Sequence, residues 1–466
     1  MVAFSRLVSL ISGVAVGLVL PKIFSIGDYG YFKIFTLYAV YTALLHFGFV
    51  DGLLLKLAGK NYSEIESRKM RTYTGFFMTL ELTVAVIIIL VGTAFLKDEY
   101  LFIAVMLALN MVFVNVTTYY QFISQATERF GEYSAKSIIV SSAKLVFVGI
   151  LFLIYLFNVT EISYRVYLVG LNVLDACMMA WYIYIYRDIT FGESANIRDL
   201  KEDIIGIFKT GVVLTVAYQV SHFILALDRQ FVSVLFDNDI FAVYSFAYNI
   251  ISLISTMISS LSVVLLPMLK KHSKDYVIKY YKKSVTVVCI VTSCALLCYY
   301  PLVPFIKWFL PNYVLSLEYI AVVLPSVLFT SVITVVIFTV VKVFDMSFAF
   351  FKDGCIVLLL GLSANFLAYV LYKSPKAISY ASLIVMAIWF VISGMRLQKK
   401  IKVKIHKEFI YLVIISFGFL TVTGLVENYI TGFLCYLVFF TVFTLIFFHR
   451  TISENTLKTI KKYFHN

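Results

Sequence analysis

Residues 4–59 read FSRLVSLISGVAVGLVLPKIFSIGDYGYFKIFTLYAVYTALLHFGFVDGLLLKLAG, two apolar runs either side of a short turn, Ile26-Gly27-Asp28-Tyr29-Gly30. Each run can cross a bilayer, since about 20 residues rising roughly 1.5 Å apiece span the hydrocarbon. Both nevertheless carry ionisable side chains: Arg6 in the first, Lys33 and Asp51 in the second. Lipid rejects such groups, so they face a protein interior or a wet cavity. A hydrophobic hairpin that hides cations from lipid is already a statement about cargo.

The whole chain follows the same pattern. Of its 466 residues, 61% are hydrophobic and 14% charged, and mean hydropathy is +0.93. A soluble domain has nowhere to put that much apolar surface, and the ten-residue alternation of a β-barrel is absent. The expected fold is an all-α polytopic membrane protein. Pro21-Lys22 ends the first run without a small-x-small cleavage site, so a retained helix is expected. The six cysteines, Cys177, Cys289, Cys294, Cys298, Cys355 and Cys435, all fall inside apolar runs. Cys294 and Cys298 stand one turn apart, but no His or carboxylate accompanies them, so they read as packing residues rather than a metal pair. No Walker motif, zinc spacing or nucleophile elbow occurs, and neither a cofactor nor an enzyme activity is expected. The net charge of +13 sits in loops between spans, which fits orientation in a membrane better than nucleic acid.

Fourteen spans are expected, at 3–24, 31–57, 73–96, 100–125, 134–157, 163–186, 205–227, 240–266, 282–308, 315–342, 351–372, 377–396, 408–425 and 429–449. With the N-terminus cytoplasmic, 28 of the 39 Lys and Arg fall on the inner loops and tail and 8 on the outer segments. That asymmetry places both termini in the cytoplasm. The longest connection, 187–204, separates six spans from eight. After it, Ala242-Val243-Tyr244 echoes Gly30-Tyr31-Phe32, each opening a Tyr/Ser/Thr-rich helix behind a polar turn. The echo suggests an internal repeat of the kind secondary transporters use: a lobe of six helices over 1–190, a second over 205–397, two further helices over 408–450 and a cytoplasmic tail over 451–466.

Polar residues within the spans line up on helical faces. Span 1 aligns Arg6, Ser9, Gly13 and Gly17, the glycines at close-packing spacing. Span 2 aligns Lys33, Tyr41, Gly48 and Asp51. Asn110, Thr117, Gln121 and Gln125 share a face of span 4, and Ser137, Ser141 and Lys144 a face of span 5. Span 7 is clearest: Gly211, Thr215, Tyr218, His222 and Arg229, flanked by Lys209, Gln219 and Asp228. Span 8 adds Asn249, Ser252, Thr256 and Ser259. Lipid accepts none of these stripes, so a shared polar cavity is expected. Its cations, Arg6, Lys33, Lys144, Lys209 and Arg229, suit an anionic cargo such as a phosphate or pyrophosphate headgroup. Arg6 and Lys209 also lie close enough to the cytoplasmic face to reach headgroups. Tyr218, Gln219 and Asn249 would meet the rest of the cargo. Asp51, Glu81 and Asp175 are intramembrane carboxylates that could exchange H+ or Na+, or serve as structural acids.

These residues carry a family resemblance. Phe4-Ser5-Arg6, Pro21, Gly27-Asp28-Tyr29-Gly30-Tyr31-Phe32 and Gly48-Phe49-Val50-Asp51-Gly52 before a basic loop resemble the Wzx-type polysaccharide (O-antigen) flippases. Asp228-Arg229, Ala242-Val243-Tyr244 and Pro267 extend the likeness, which covers mainly 4–60 and 208–270. These flippases belong to the multidrug/oligosaccharidyl-lipid/polysaccharide exporter superfamily, together with MurJ and the MATE exporters. The resemblance implies two six-helix lobes related by pseudo-two-fold symmetry around a lateral cavity, and alternating access. It also implies an undecaprenyl-pyrophosphate-linked oligosaccharide, an O-antigen or capsule repeat unit, as cargo in the bacterial inner membrane. The pyrophosphate role passes to Arg6, Lys33, Lys144, Lys209 and Arg229. Membrane lipids, a coupling H+ or Na+, and the polysaccharide polymerase and chain-length machinery are the partners implied; nucleic acid is not. A MATE-like exporter of small cations would need an acidic cavity, and few early arginines weaken a MurJ-like lipid II assignment. A membrane glycosyltransferase would need a large catalytic loop, and the longest loop here is short.

Overall fold

The computed structural model describes the backbone of residues 2–270, 274–344 and 346–464, and within these the side chains of 8–129, 131–132, 134–258, 275–344 and 346–449. No strand occurs among the described residues. Twelve of their helices are long and apolar enough to cross a membrane, thirteen when one bent pair counts as a span. Residues 8–23 of the first helix form a shorter apolar segment, so the structure shows twelve or thirteen spans where the sequence suggests fourteen. This is a multi-pass α-helical membrane protein. It divides into two compact units, Met1–Ser245 and Phe246–Asn466.

The first unit contains α1 (Val2–Ile23), α2 (Ile26–Thr42), α3 (Phe49–Leu57), α4 (Ser67–Phe95), α5 (Asp98–Ala126), α6 (Phe130–Leu156), α7 (Tyr164–Ile185), the short α8 (Arg187–Thr190) and α9 (Lys201–Leu235), with the start of α10 (Asn238–Lys270). Helix α5 is the hub, packing on α2, α3, α4, α6 and α7. A column of rings ties the unit together: Phe49 on Phe77 at 5.5 Å, Phe77 on Tyr119 at 5.1 Å, Tyr119 on Tyr120 at 5.2 Å and Tyr120 on Tyr186 at 5.4 Å. Buried rings of this size are the largest apolar areas a core can offer, and offset or edge contacts add to them.

The 187–204 connection is clamped to the first unit. Arg71 donates from Nε to the Asp188 carbonyl at 2.8 Å and from its terminal nitrogen to the Glu193 carbonyl at 3.1 Å. Tyr62 donates to the Asp188 carboxylate at 2.9 Å. Burial, helped by that carboxylate, holds the Tyr62 phenol above its usual range.

In the second unit, α11 (Lys274–Ala295) and α12 (Tyr299–Phe309) form one long span. Helices α13 (Ser316–Val323), α14 (Ser326–Ser331) and α15 (Phe338–Val343) form a broken one with a π-helical turn at Val332–Ile337. Helix α16 (Ser347–Tyr372) packs on α17 (Pro375–Ile401), and α18 (His406–Leu425) on α19 (Tyr429–Phe464). Asp353, 1% exposed, is held by the Arg396 guanidinium.

Candidate functional site

The second span is not a single helix. Phe47 and Gly48 take left-handed φ values of 49° and 84°, which ends the turn Ala43–His46 and bends α3 by 56° from the segment before it. Helix interiors do not tolerate two such residues in succession. At the bend the chain meets α9 backbone to backbone. A Cβ on Gly211 would stand 2.5 Å from the Gly52 amide nitrogen and 2.8 Å from the Gly48 carbonyl carbon. One on Gly52 would stand 2.8 Å from the Ile207 carbonyl carbon. Only glycine permits this approach.

Polar contacts continue that approach along nearly the whole of α9. At the Lys201 end of α9 Lys56 pairs with Asp203 at 2.9 Å, and Tyr73 donates to the same carboxylate at 2.9 Å. The Thr215 hydroxyl donates to Asp51, and His46 Nε2 lies 3.9 Å from that carboxylate. Higher up, Gln219 donates to the Val40 carbonyl at 2.6 Å and Gln230 to the Tyr38 hydroxyl at 2.8 Å. Asn238 donates to the Gly27 carbonyl at 2.8 Å. Gln219 and Asp51, expected to serve cargo and ion, here join the second span to α9.

Two of the expected cargo cations come together on this face. Lys33 is half-buried, its Nζ 5.1 Å from the Tyr29 ring centre and 5.2 Å from that of Phe32. Arg229 lies within electrostatic reach of it. The neighbouring carboxylate, Asp228, is 2% exposed. It accepts the Tyr244 hydroxyl at 2.9 Å and the Arg229 amide at 2.7 Å. Asp228 is thus hydrogen-bonded and also lies within electrostatic reach of Arg229, so this face carries two cations and one carboxylate.

Lys144 keeps different company. It interacts electrostatically with Lys136, one helix face along α6, and Asp175 of α7 acts on Lys136 as well. Asp175 also accepts the Asn110 amide at 3.0 Å. Lys136 is a cation that the sequence reading misses, because it lies near the mouth of its span and counts with the loop charges. Its one available signal is the spacing to Lys144, eight residues on. The Ser9 hydroxyl meets Ser137 at 3.2 Å and Ser141 at 2.8 Å, so these stripes on α1 and α6 face each other. The Arg6 side chain lies outside the described residues. Lys209 and Tyr218 are exposed on α9. Asn249 is half-buried on α10 in the second unit, its carbonyl accepting Ser252 at 2.8 Å.

Glu81, midway along α4, is fully buried. One carboxyl oxygen accepts the Asn115 amide at 3.0 Å, and the same amide nitrogen donates to the Thr42 carbonyl at 3.2 Å. The other oxygen, Oε1, is buried without a hydrogen-bond partner among the described residues.

A family model described as polysaccharide biosynthesis protein matches residues 19–273. Among solved structures, the chain is similar to the lipid II flippase MurJ in an inward closed conformation. There the identity is 14%, with 96% of this chain and 98% of that one covered and a TM-score of 0.70. It is also similar to an inward-facing multidrug resistance MATE family transporter of the MOP superfamily. That match has 11% identity, covers 85% and 94% of the two chains and has a TM-score of 0.61. A comparison with curated proteins finds no match.

Proposed function

We propose, for a chain that belongs to the polysaccharide biosynthesis protein family and has the fold of the MurJ and MATE transporters, that it translocates an undecaprenyl-pyrophosphate-linked oligosaccharide across a bacterial inner membrane. The coarse reading, a membrane transporter of flippase type, follows from that family and fold. The cargo is supported by one observation above the others: Lys33 and Arg229 within electrostatic reach on facing helices, with Asp228 already engaged by Tyr244. With Asp228 as the one carboxylate among them, Lys33 and Arg229 leave this face net positive, and a doubly charged pyrophosphate would be attracted to it and take bidentate hydrogen bonds from the guanidinium.

Alternating access follows as the working mechanism. The repeat unit is an O-antigen or capsule unit, its sugars meeting Tyr218, Asn249 and the amides of the α9 face, with Lys144, Lys209 and Arg6 as further headgroup contacts. Release of cargo requires the second span and α9 to part, breaking the ladder from Lys56–Asp203 to Gly27–Asn238. The lobes of 1–190 and 205–397, the added helices of 408–450 and a cytoplasmic tail remain the working topology, both ends inside. Asp51, Glu81 and Asp175 are the acids through which H+ or Na+ would drive the cycle. The polymerase and chain-length machinery would take the flipped unit.

The test is deletion of the protein followed by leaflet-resolved analysis of lipid-linked repeat units. Units accumulating on the cytoplasmic leaflet, with surface polysaccharide lost, are expected. Unchanged surface polysaccharide would refute the reading.

A further inference from the structure

We propose that Glu81 is a proton-binding site that controls the bend of the second span through Asn115. The proposal deepens the ion-coupled reading above and rests on it only for the transport arm of its test.

The geometry specifies a proton rather than a metal ion. A sodium ion needs several oxygen ligands, whereas the partner aimed at Glu81 is the Asn115 amide nitrogen, a donor. A proton needs one oxygen, and Oε1 is a buried oxygen without a partner among the described residues. Binding is simple addition: carboxylate plus proton gives the neutral acid, and nothing else changes charge. The position supplies the coupling. Asn115 holds Glu81 with one amide hydrogen and the Thr42 carbonyl, at the end of α2, with the other. Both its donors are therefore committed. An ionised carboxyl would present a second buried, charged acceptor that demands a donor of its own, and leaving that demand unmet is costly. In the closed arrangement keeping the proton removes the buried charge and leaves only a neutral hydroxyl, which a dry interior tolerates better than an ionised oxygen. Losing the proton draws Asn115 or water toward Oε1, loosens the hold on Thr42 and frees the bend at Phe47-Gly48.

Other titratable groups stand on the elements packed against α4, and each is engaged elsewhere. His46, from the bend, accepts the Gly48 amide at 3.1 Å and faces Asp51. Asp51 takes Thr215, and Lys56 pairs with Asp203. From α5, Tyr119 meets Thr74 at 2.8 Å and Tyr120 meets Thr190 at 2.7 Å. Asp188 of α8 takes Tyr62.

The experiment reads opening of the second span directly. In a chain whose six native cysteines are replaced by serine, Lys56→Cys and Asp203→Cys are joined by a short bis-thiosulfonate reagent over a range of pH. With Glu81 intact, cross-linking, corrected for the pH-dependent reactivity measured on each single-cysteine chain, should fall several-fold as pH rises. Glu81→Gln, which keeps the Asn115 hydrogen bond but carries no exchangeable charge, should abolish that dependence. Glu81→Asp, which keeps the acid, should shift its midpoint and not remove it. A pH response that survives Glu81→Gln, or one lost instead on His46→Gln, overturns the proposal. Should Glu81→Gln not fold, an unshifted midpoint in Glu81→Asp overturns it equally. Transport is read separately, by translocation of a lipid-linked oligosaccharide in proteoliposomes under a pH gradient. A pH-controlled bend without translocation would sink the flippase reading and leave the proton site standing.

Discussion

Replacing Gly211 by alanine adds one methyl group where there is no room for it. The new Cβ would lie 2.5 Å from the Gly52 nitrogen and 2.8 Å from the Gly48 carbonyl carbon, against 3.4–4 Å for ordinary contact. Both neighbours are backbone, so no side chain can swing aside. The second span and α9 must separate by about 1 Å, and overpacking of this kind costs roughly 1–3 kcal/mol. The cost falls only on the closed arrangement, because once the helices part the methyl faces open space. Closure should therefore weaken by about 5- to 150-fold relative to the open form. Gly206, one turn and a half earlier on α9, has nothing within 4 Å of its Cβ position and serves as the control.

The assay is the same Lys56→Cys/Asp203→Cys cross-link at fixed pH, in the serine-replaced background. Gly211→Ala should cut its rate and extent, and Gly206→Ala should leave both within experimental scatter. A membrane-impermeant thiol reagent, added to either face of the membrane in turn, should label the same cysteines faster in Gly211→Ala from the face they open to. If cross-linking in Gly211→Ala equals that of the parent while the protein remains monodisperse, the backbone contact does not hold the closed form and the reasoning fails.

Other outcomes follow from single contacts. Lys33→Ala and Arg229→Ala should each lower surface polysaccharide severely while leaving protein abundance in the membrane unchanged; Arg229→Lys, which loses the planar fork, should restore only part of it. Arg396→Ala leaves Asp353 buried beside nothing of opposite charge among its described contacts, and should lower the thermal midpoint in detergent by an amount equivalent to about 3 kcal/mol. The Lys56–Asp203 pair is partly exposed, with side chains 33% and 46% accessible. A double-mutant cycle on unfolding should therefore give about 0.2–1 kcal/mol of coupling, and a larger value would mean that the pair is drier than its exposure implies.

The spans were legible because a bilayer demands long apolar runs, and hydropathy records that demand residue by residue. The break in the second span was not, because the left-handed turn at Phe47-Gly48 is imposed by close packing on α9 rather than by a local breaker such as proline. Its trace is nevertheless present: Gly48 and Gly52 stand four residues apart, a close-packing spacing, and both meet the backbone of α9. Helical periodicity fixes the face of its own helix on which a polar residue lies, not what stands opposite. Ser9, Ser137 and Ser141 lie on polar stripes of their helices, and these stripes satisfy one another. Asp51 and Gln219 stand on the expected faces and are engaged by Thr215 and the Val40 carbonyl.

That engagement bears on function. A transporter must present polar groups to its cargo in one arrangement and satisfy them without cargo in another, since neither lipid nor a dry interface accepts an unpaired donor. Gln219, Gln230 and Thr215, which bridge the second span to α9, are the groups that parting the two would release. The same sequence can thus serve two packings only if its interface is polar along its length and close enough at one point to snap shut. The three glycines at the bend supply that point, which is why a single methyl group there should matter more than the loss of any one hydrogen bond along the ladder.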